Sequence, residues 1–335
     1  MATRSTPVSG RKKSPPQDDK AIEPSGRRSA RLRNRAAWMY YVEDMTQNAI
    51  GEALGIGRVT VVRMLADARA LNEVKISLRR DLDELPRLER ALEAKFGVQQ
   101  AIVAPLSSPA ADPTPVLGAA TGQFISEFVR PQMKIGVGWG RTLLSALNFI
   151  DDAHVPDLSV ISLLGGISAV HQYNPAEFAW QFSRLFRADC FLVTAPAVVD
   201  SVETKTALIE RCGLGEVFEL ARELDAVLLS VGGMSQRSTA HLINSFSEED
   251  RRSLVAAGAV GNCLYNFYDS RGRLIDHPLN TRIMSPAIDD VVRTPVRILT
   301  SGGAEKLSAI RGALLMLQPT HFITDEVTAA TLING

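Results

Sequence analysis

Apolar positions recur at helical spacing between residues 35 and 71 and predict three short helices separated by brief breaks. The first carries Ala36, Ala37, Tyr40, Tyr41 and Met45 on one face. Thr46 then suits the N-cap of a second helix, Gln47 to Leu54, whose Ala49, Ile50 and Leu54 face inward. Gly55-Ile56-Gly57 breaks the pattern, and a third helix runs from about Arg58 to Leu71 with Val61, Leu65 and Ala68 on its buried side. Residues Val74 to Leu78 alternate and read as a short strand, one edge of a small wing. Pro86 stands at a helix N1 position, followed by a Leu88, Leu92, Phe96 stripe that ends at Gly97 and reads as a connector or a dimer seam.

Beyond residue 100 the pattern changes. Short apolar runs (101–104, 134–137, 160–164, 190–194, 226–231, 297–300 and 321–324) alternate with amphipathic segments such as 142–149, 178–186 and 307–317. Such alternation predicts an α/β domain with a parallel sheet covered on both faces. Several runs end in glycine turns, around Gly138 and Gly140, Gly165-Gly166, Gly232-Gly233 and Gly302-Gly303. Ligands of open α/β sheets bind beyond the carboxyl ends of the strands, so the pocket is expected there. The expected division is a disordered basic arm over 1–34, a DNA-binding unit over 35–80, a connector helix over 81–99 and an effector domain over 100–335.

Length and composition narrow the class. A chain of 335 residues exceeds one ordinary core, and 45% hydrophobic with 22% charged residues is ordinary for a soluble globular protein. No stretch approaches the roughly 20 apolar residues that span a bilayer, so no membrane partner is expected. Cys190, Cys212 and Cys263 are too scattered for a disulfide framework or a zinc cluster, which points to a reduced cytoplasmic chain. The 37 basic and 37 acidic residues cancel, yet residues 1–80 carry +8 and residues 81–335 carry −8. That asymmetry suggests a nucleic-acid-binding end on an acidic body; a basic tail without a partner is the plainer alternative.

The segment from Thr46 to Arg63 has the spacing of a helix-turn-helix. Small Ala49 and Gly51 allow close helix approach, Gly55 supplies the turn, and Ile56 with Val61 plugs the space between helices. Thr46 and Gln47 open the second helix, and Arg58, Val59, Thr60 and Arg63 stand at the exposed start of the third. Arginine can bond guanine O6 and N7 in bidentate fashion, and threonine or valine can touch a thymine methyl. The alternatives are plain structural packing and phosphate contacts that position without reading sequence.

This stretch resembles the N-terminal domain of the SorC family of bacterial sugar-responsive transcriptional regulators, whose pattern is close to T-Q-x-x-I-A-x-x-L-G-I-S-R-x-T-V-S-R-L-L. Gly57 and Val62 stand where the family has serine. The resemblance extends over nearly all the chain after residue 35. Residues 135–142 (Ile-Gly-Val-Gly-Trp-Gly-Arg-Thr) are similar to the family's G-V-S-W-G-R-T turn, and Ala195-Pro196-Ala197 to its A-P-A element. Residues 258–262, then Phe267-Tyr268-Asp269 and Gly272, resemble G-A-V-G-D…F-D-x-x-G, with Asn262 in the acidic position. Residues 301–306 and 323–326 resemble G-G-x-x-K and L-T-D-E.

The resemblance implies a winged helix-turn-helix domain joined to a Rossmann-like effector domain similar to sugar-phosphate isomerase and deaminase folds. It implies operator DNA and a sugar, sugar phosphate or polyol as partners, a homodimer or homotetramer, and no cofactor. Gly138, Trp139, Gly140, Arg141 and Thr142 would open a helix toward the ligand, Lys306 after Gly303 would supply charge, and Asn262 and Asp269 would meet hydroxyls. Gly166 joins the set, with His171 and Gln172 beyond it. Structural alternatives stand beside each: tight turns for Gly165-Gly166 and Gly232-Gly233, core packing for Trp139, a solvated Lys306, a solvated loop for His171, and a body carboxylate as partner of Arg141. An enzyme using Asp269, Asp325 or Glu326 as base is the other class. No nucleophile–base–orienter set or metal-ligand spacing accompanies those carboxylates, so sensing is the expected role.

Overall fold

The computed structural model describes residues 25–74, 85–167, 174–235 and 247–335. The chain divides into two units, residues 1–75 and 76–335. The first holds α1 (Ser25–Tyr41), α2 (Gln47–Leu54) and α3 (Arg58–Ala70). Ala36, Ala37, Met39, Ile50, Val61, Leu65 and Ala68 form its buried centre. Thr46 caps α2, its hydroxyl accepting the Ala49 amide at 3.3 Å. Gly55 ends α2 at φ +66, the left-handed conformation that glycine adopts without a Cβ penalty. Gly51 is required by proximity, because a Cβ there would stand 2.8 Å from the Ile56 carbonyl oxygen.

The helical start corrects the expected arm. Residues 25–34, assigned to a disordered tail, belong to α1, and Arg33 makes a bidentate ion pair with Glu73 beyond α3. Arginine, alanine and leucine are good helix formers, and the run lacks proline, so charge density alone did not prevent the helix. The expected wing strand lies almost wholly within 75–84, outside the described residues.

The second unit opens with α4 (Pro86–Phe96) and then builds seven parallel strands: β1 (Gln100–Ala104), β2 (Lys134–Val137), β3 (Ser159–Ser162), β4 (Asp189–Phe191), β5 (Ala226–Leu229), β9 (Val296–Thr300) and β10 (His321–Asp325). Their spatial order is β1-β10-β9-β5-β2-β3-β4. All seven expected runs are strands. The helices between them include α5 (Thr114–Phe128), α6 (Arg141–Ala146), α7 (Pro175–Phe186), α8 (Val202–Arg211) and α9 (Gly215–Leu220). A small antiparallel sheet of β6 (Gly232–Gly233), β7 (Gly261–Cys263) and β8 (Asn266–Tyr268) was not anticipated. Helices α10 (Glu248–Ala256), α11 (Pro278–Thr281), α12 (Ile288–Arg293), α13 (Leu307–Leu317) and α14 (Glu326–Asn334) complete the unit.

Strand residues alternate between two cores. Val160, Leu228, Ile298 and Ile323 pack with Phe178, Phe182 and Phe186 of α7, whereas Ile161, Leu229, Leu299 and Phe322 face Tyr268, Ile310 and Leu314. Burial on both faces explains why the strands read as continuous apolar runs. Helix α4 is part of this body and not a free connector. Leu92 is fully buried, the Glu89 and Glu93 carboxylates accept the Val103 and Ala101 amides of edge strand β1, and Lys95 Nζ donates to the Ile333 carbonyl.

Candidate ligand cleft and DNA-facing helix

Strand order fixes where a cleft can open. From β2 the chain winds outward through β3 and β4, and from β5 it winds the other way to β9, so the winding reverses between β2 and β5. Loops leaving two such strands diverge and leave a crevice at their carboxyl ends. A cleft of about 650 Å³ lies there. The loop after β2 contributes Trp139, Gly140, Arg141 and Thr142; Ser230 to Gly233 follow β5; Asn262 and Leu264 come from the small sheet; Glu305 and Lys306 follow β9; and Asp112 comes from the loop after β1.

Backbone conformation shapes the floor. Gly138 lies beneath it, its amide donating to the Leu228 carbonyl at 2.8 Å. The β7–β8 hairpin turns through Leu264 at φ +50 and Tyr265 at φ +60, both in the left-handed region and both buried. Type I′ hairpins need that conformation twice, and glycine or asparagine normally supplies it, so this turn is strained. The Tyr265 ring meets Trp139 edge-on at 5.3 Å, which makes Trp139, 8% exposed, a packed wall and not a mobile cover.

Charge in the cleft is mixed. Lys306 ends a 3₁₀ turn, Ala304–Lys306, and burial followed by the nearby Arg141 charge holds its ammonium below the ordinary lysine value, against the pull of Glu305 and Asp112. Burial pushes Asp112 up, but hydrogen bonds from Thr114 and the charges of Arg141 and Lys306 outweigh it and leave the carboxyl below its usual value.

Other expected ligand residues have structural duties. Gly303, at φ +101, donates its amide to Asp325 Oδ2 and Thr328 Oγ1 and does not line the cleft. Gly166 exchanges backbone hydrogen bonds with Ala195 and Ala197, and a Cβ at neighbouring Gly165 would strike the Ala195 oxygen at 2.6 Å. The turn there serves close packing. Asp269 also stands outside the cleft. Its Oδ1 accepts the Arg271 and Arg273 amides and its Oδ2 pairs with the Arg273 guanidinium, so the carboxylate closes its own turn. His171 and Gln172 lie outside the described residues. Sequence reading missed Asp112, Ser230, Leu264 and Glu305. Ser230 directly follows β5 and was accessible to the strand-end rule, whereas nothing in the sequence placed the β1 loop beside the others.

In the first unit, α3 buries Val61, Leu65 and Ala68 and turns Arg58, Val59, Val62 and Arg63 outward. Val59 is 83% exposed, the most exposed large apolar side chain among the described residues. Thr60 is half-buried. Thr46 and Gln47 border an open hollow with Tyr40, Tyr41 and Arg58, and Arg58 Nε approaches Gln47 Oε1 at 3.4 Å.

Known proteins share this architecture. The chain is 29% identical over 313 residues to the deoxyribonucleoside regulator of Bacillus subtilis (strain 168), spanning 92% of this chain and 99% of that one. It is 28% identical over 305 residues to the erythritol catabolism regulatory protein EryD of Brucella abortus (strain 2308), spanning 90% and 95%. The crystal structure of the full-length sorbitol operon regulator SorC from Klebsiella pneumoniae superposes with a TM-score of 0.70 at 26% identity, covering 90% of this chain and 98% of that one. Residues 80–334 match the family described as "Putative sugar-binding domain". With that match over most of its length, the chain belongs to this sugar-binding family of SorC-type regulators.

Proposed function

We propose that the protein is a DNA-binding transcriptional regulator of a carbohydrate or polyol catabolic operon, controlled by a sugar, sugar phosphate or polyol in the cleft between β2 and β5. The carrying observation is the joining, in one chain, of that switch-point cleft to a three-helix unit presenting Arg58, Val59 and Arg63. Helix α3 supplies guanidinium groups for guanine or phosphate and an apolar contact for a thymine methyl, the chemistry of a recognition helix. Gly140, Arg141, Thr142, Asn262 and Lys306 form the effector set; Gly138 and Gly303 support it from below. The relatives are named as regulators of deoxyribonucleoside, erythritol and sorbitol systems, which favours sensing over isomerase-like catalysis. Reading two operator half-sites requires a homodimer or homotetramer, acting in the cytoplasm.

A ligand can move such a switch only through differential affinity for its two states. The test pairs operator-fragment binding with thermal-shift titration against sugars, polyols and their phosphates. Arg63→Ala is expected to abolish operator binding while ligand-induced stabilisation persists. Loss of both together would make the α3 face structural, and operator binding indifferent to every stabilising ligand would remove the control function.

A further inference from the structure

The Thr324-Asp325-Glu326 string carries two carboxylates that do not line the cleft. Asp325 ends β10 and caps α14, and it is almost wholly buried. Its Oδ1 accepts the Thr328 amide at 2.9 Å, and its Oδ2 accepts the Thr328 hydroxyl at 2.7 Å and the Gly303 amide at 3.1 Å. A Cβ on Gly302 would strike that same oxygen, so only glycine lets the loop after β9 come this close. The Gly303 carbonyl in turn accepts the Lys306 amide at 3.0 Å and closes the turn Ala304–Lys306. One buried carboxylate thus fixes the residue on which the Lys306 turn is built. Glu326 does the same for another loop. Its Oε1 accepts the Leu106 amide at 2.8 Å, just past the end of β1, where Ala104 stands beside Asp325 in the parallel register. The loop held there runs on to Ala110, Ala111, Asp112 and Pro113 of the cleft. Lys306 and Asp112 each feel the other's charge, so the two loops meet in one electrostatic environment.

We propose that Asp325 and Glu326 are positioning residues for effector binding: Asp325 holds the Lys306 turn and Glu326 holds the Asp112 loop in the arrangement that the ligand meets. The inference rests on reading the cleft as the effector site and adds what sets its geometry. Preorganisation is the physical reason. A loop that the ligand must order weakens binding by the entropy of ordering it, whereas a loop already fixed does not. The bonds that fix these loops come from the first two residues of one element, β10 running into α14, so both walls share a single support.

The test uses the full chain, with the 6-phosphate of sorbitol, the 4-phosphate of erythritol, the 5-phosphate of deoxyribose and inorganic phosphate as probes. Binding is measured by calorimetry and thermal shift. Asp325→Asn keeps the shape but replaces an acceptor with a donor, and it is expected to weaken the tightest probe about tenfold. Should that variant fold poorly, Thr328→Val removes the hydroxyl that shares the Gly303 amide and is expected to weaken the probe in the same direction. Glu326→Ala is expected to weaken it too, and Glu326→Gln, which keeps an acceptor for the Leu106 amide, to restore it. A double-mutant cycle separates positioning from general damage. In a Lys306→Met background, Asp325→Asn should change affinity less than about twofold, because the group it holds is gone. If Lys306→Met binds no probe, pH takes the place of the cycle. The loss of phosphate-conferred stabilisation with rising pH should then begin at higher pH in Asp325→Asn, as Lys306 regains water. Parent-like binding by Asp325→Asn, an equal loss without Lys306, or an unmoved pH profile overturns the inference and leaves the effector cleft standing. If no probe binds the unaltered protein, the effector reading falls and the inference with it.

Discussion

Lys306 is held below its ordinary protonation range chiefly because burial strips water from its ammonium, with Arg141 adding repulsion. Its folded-state value lies below its unfolded one, so between the two the unfolded chain holds more protons and folding gains stability as pH rises. An anion in the cleft reverses the cause by offering the ammonium a partner. Anion binding then takes up a proton in that interval, and the stabilisation it confers shrinks as pH rises. Thermal shifts with a phosphate-bearing ligand, followed from about pH 7 to about pH 10, are expected to decline, while those with a neutral ligand stay level. In Lys306→Met both should be level, and an unchanged decline would assign the titration to another group. Lys306 shows how little of a site lies in residue identity alone. It was identifiable as a candidate, but its desolvated ammonium is not a property of sequence. Asp269 is the converse case, a carboxylate in a suggestive string whose oxygens are all engaged by its own turn.

At the level of elements, the turn between α2 and α3 depends on the approach of Gly51 to the Ile56 carbonyl. A methyl group at 2.8 Å from a backbone oxygen forces the helices apart, and Gly51→Ala is expected to cost roughly 1–3 kcal/mol. Two-probe unfolding measures this: the helical first unit should lose stability while ligand-induced stabilisation of the second persists. A variant as stable as the parent would show that the approach is relaxed in solution. The elements were more legible than the site. Seven apolar runs became seven strands because burial on both faces enforces continuous hydrophobicity, and α2 spans Gln47–Leu54 as its cap and glycine require. Less legible were the places where long-range pairing overrides local pattern. The two glycines of β6 have no strand propensity and are held by β7, and the hairpin at Leu264-Tyr265 uses residues that no turn rule selects. The start of α1 was missed for the opposite reason, since a run dense in arginine was read as solvated although its local helix propensity is high.

Across the whole molecule the formal charge of zero conceals +8 on residues 1–80 and −8 on the rest. Operator affinity should therefore depend strongly on ionic strength. For about six neutralised phosphates it is expected to fall about 10³-fold between ~50 and ~200 mM salt, and a flat titration would exclude phosphate contacts as its main source. The carboxylates of Glu89 and Glu93 have a different large-scale consequence. They occupy the amides that a foreign strand would need in order to extend the sheet past β1. Fibre-like growth by sheet continuation is thereby closed on that side, and at the opposite margin it meets only the three residues of β4. Any contact between copies of this chain would then use helices and loops and not a shared sheet.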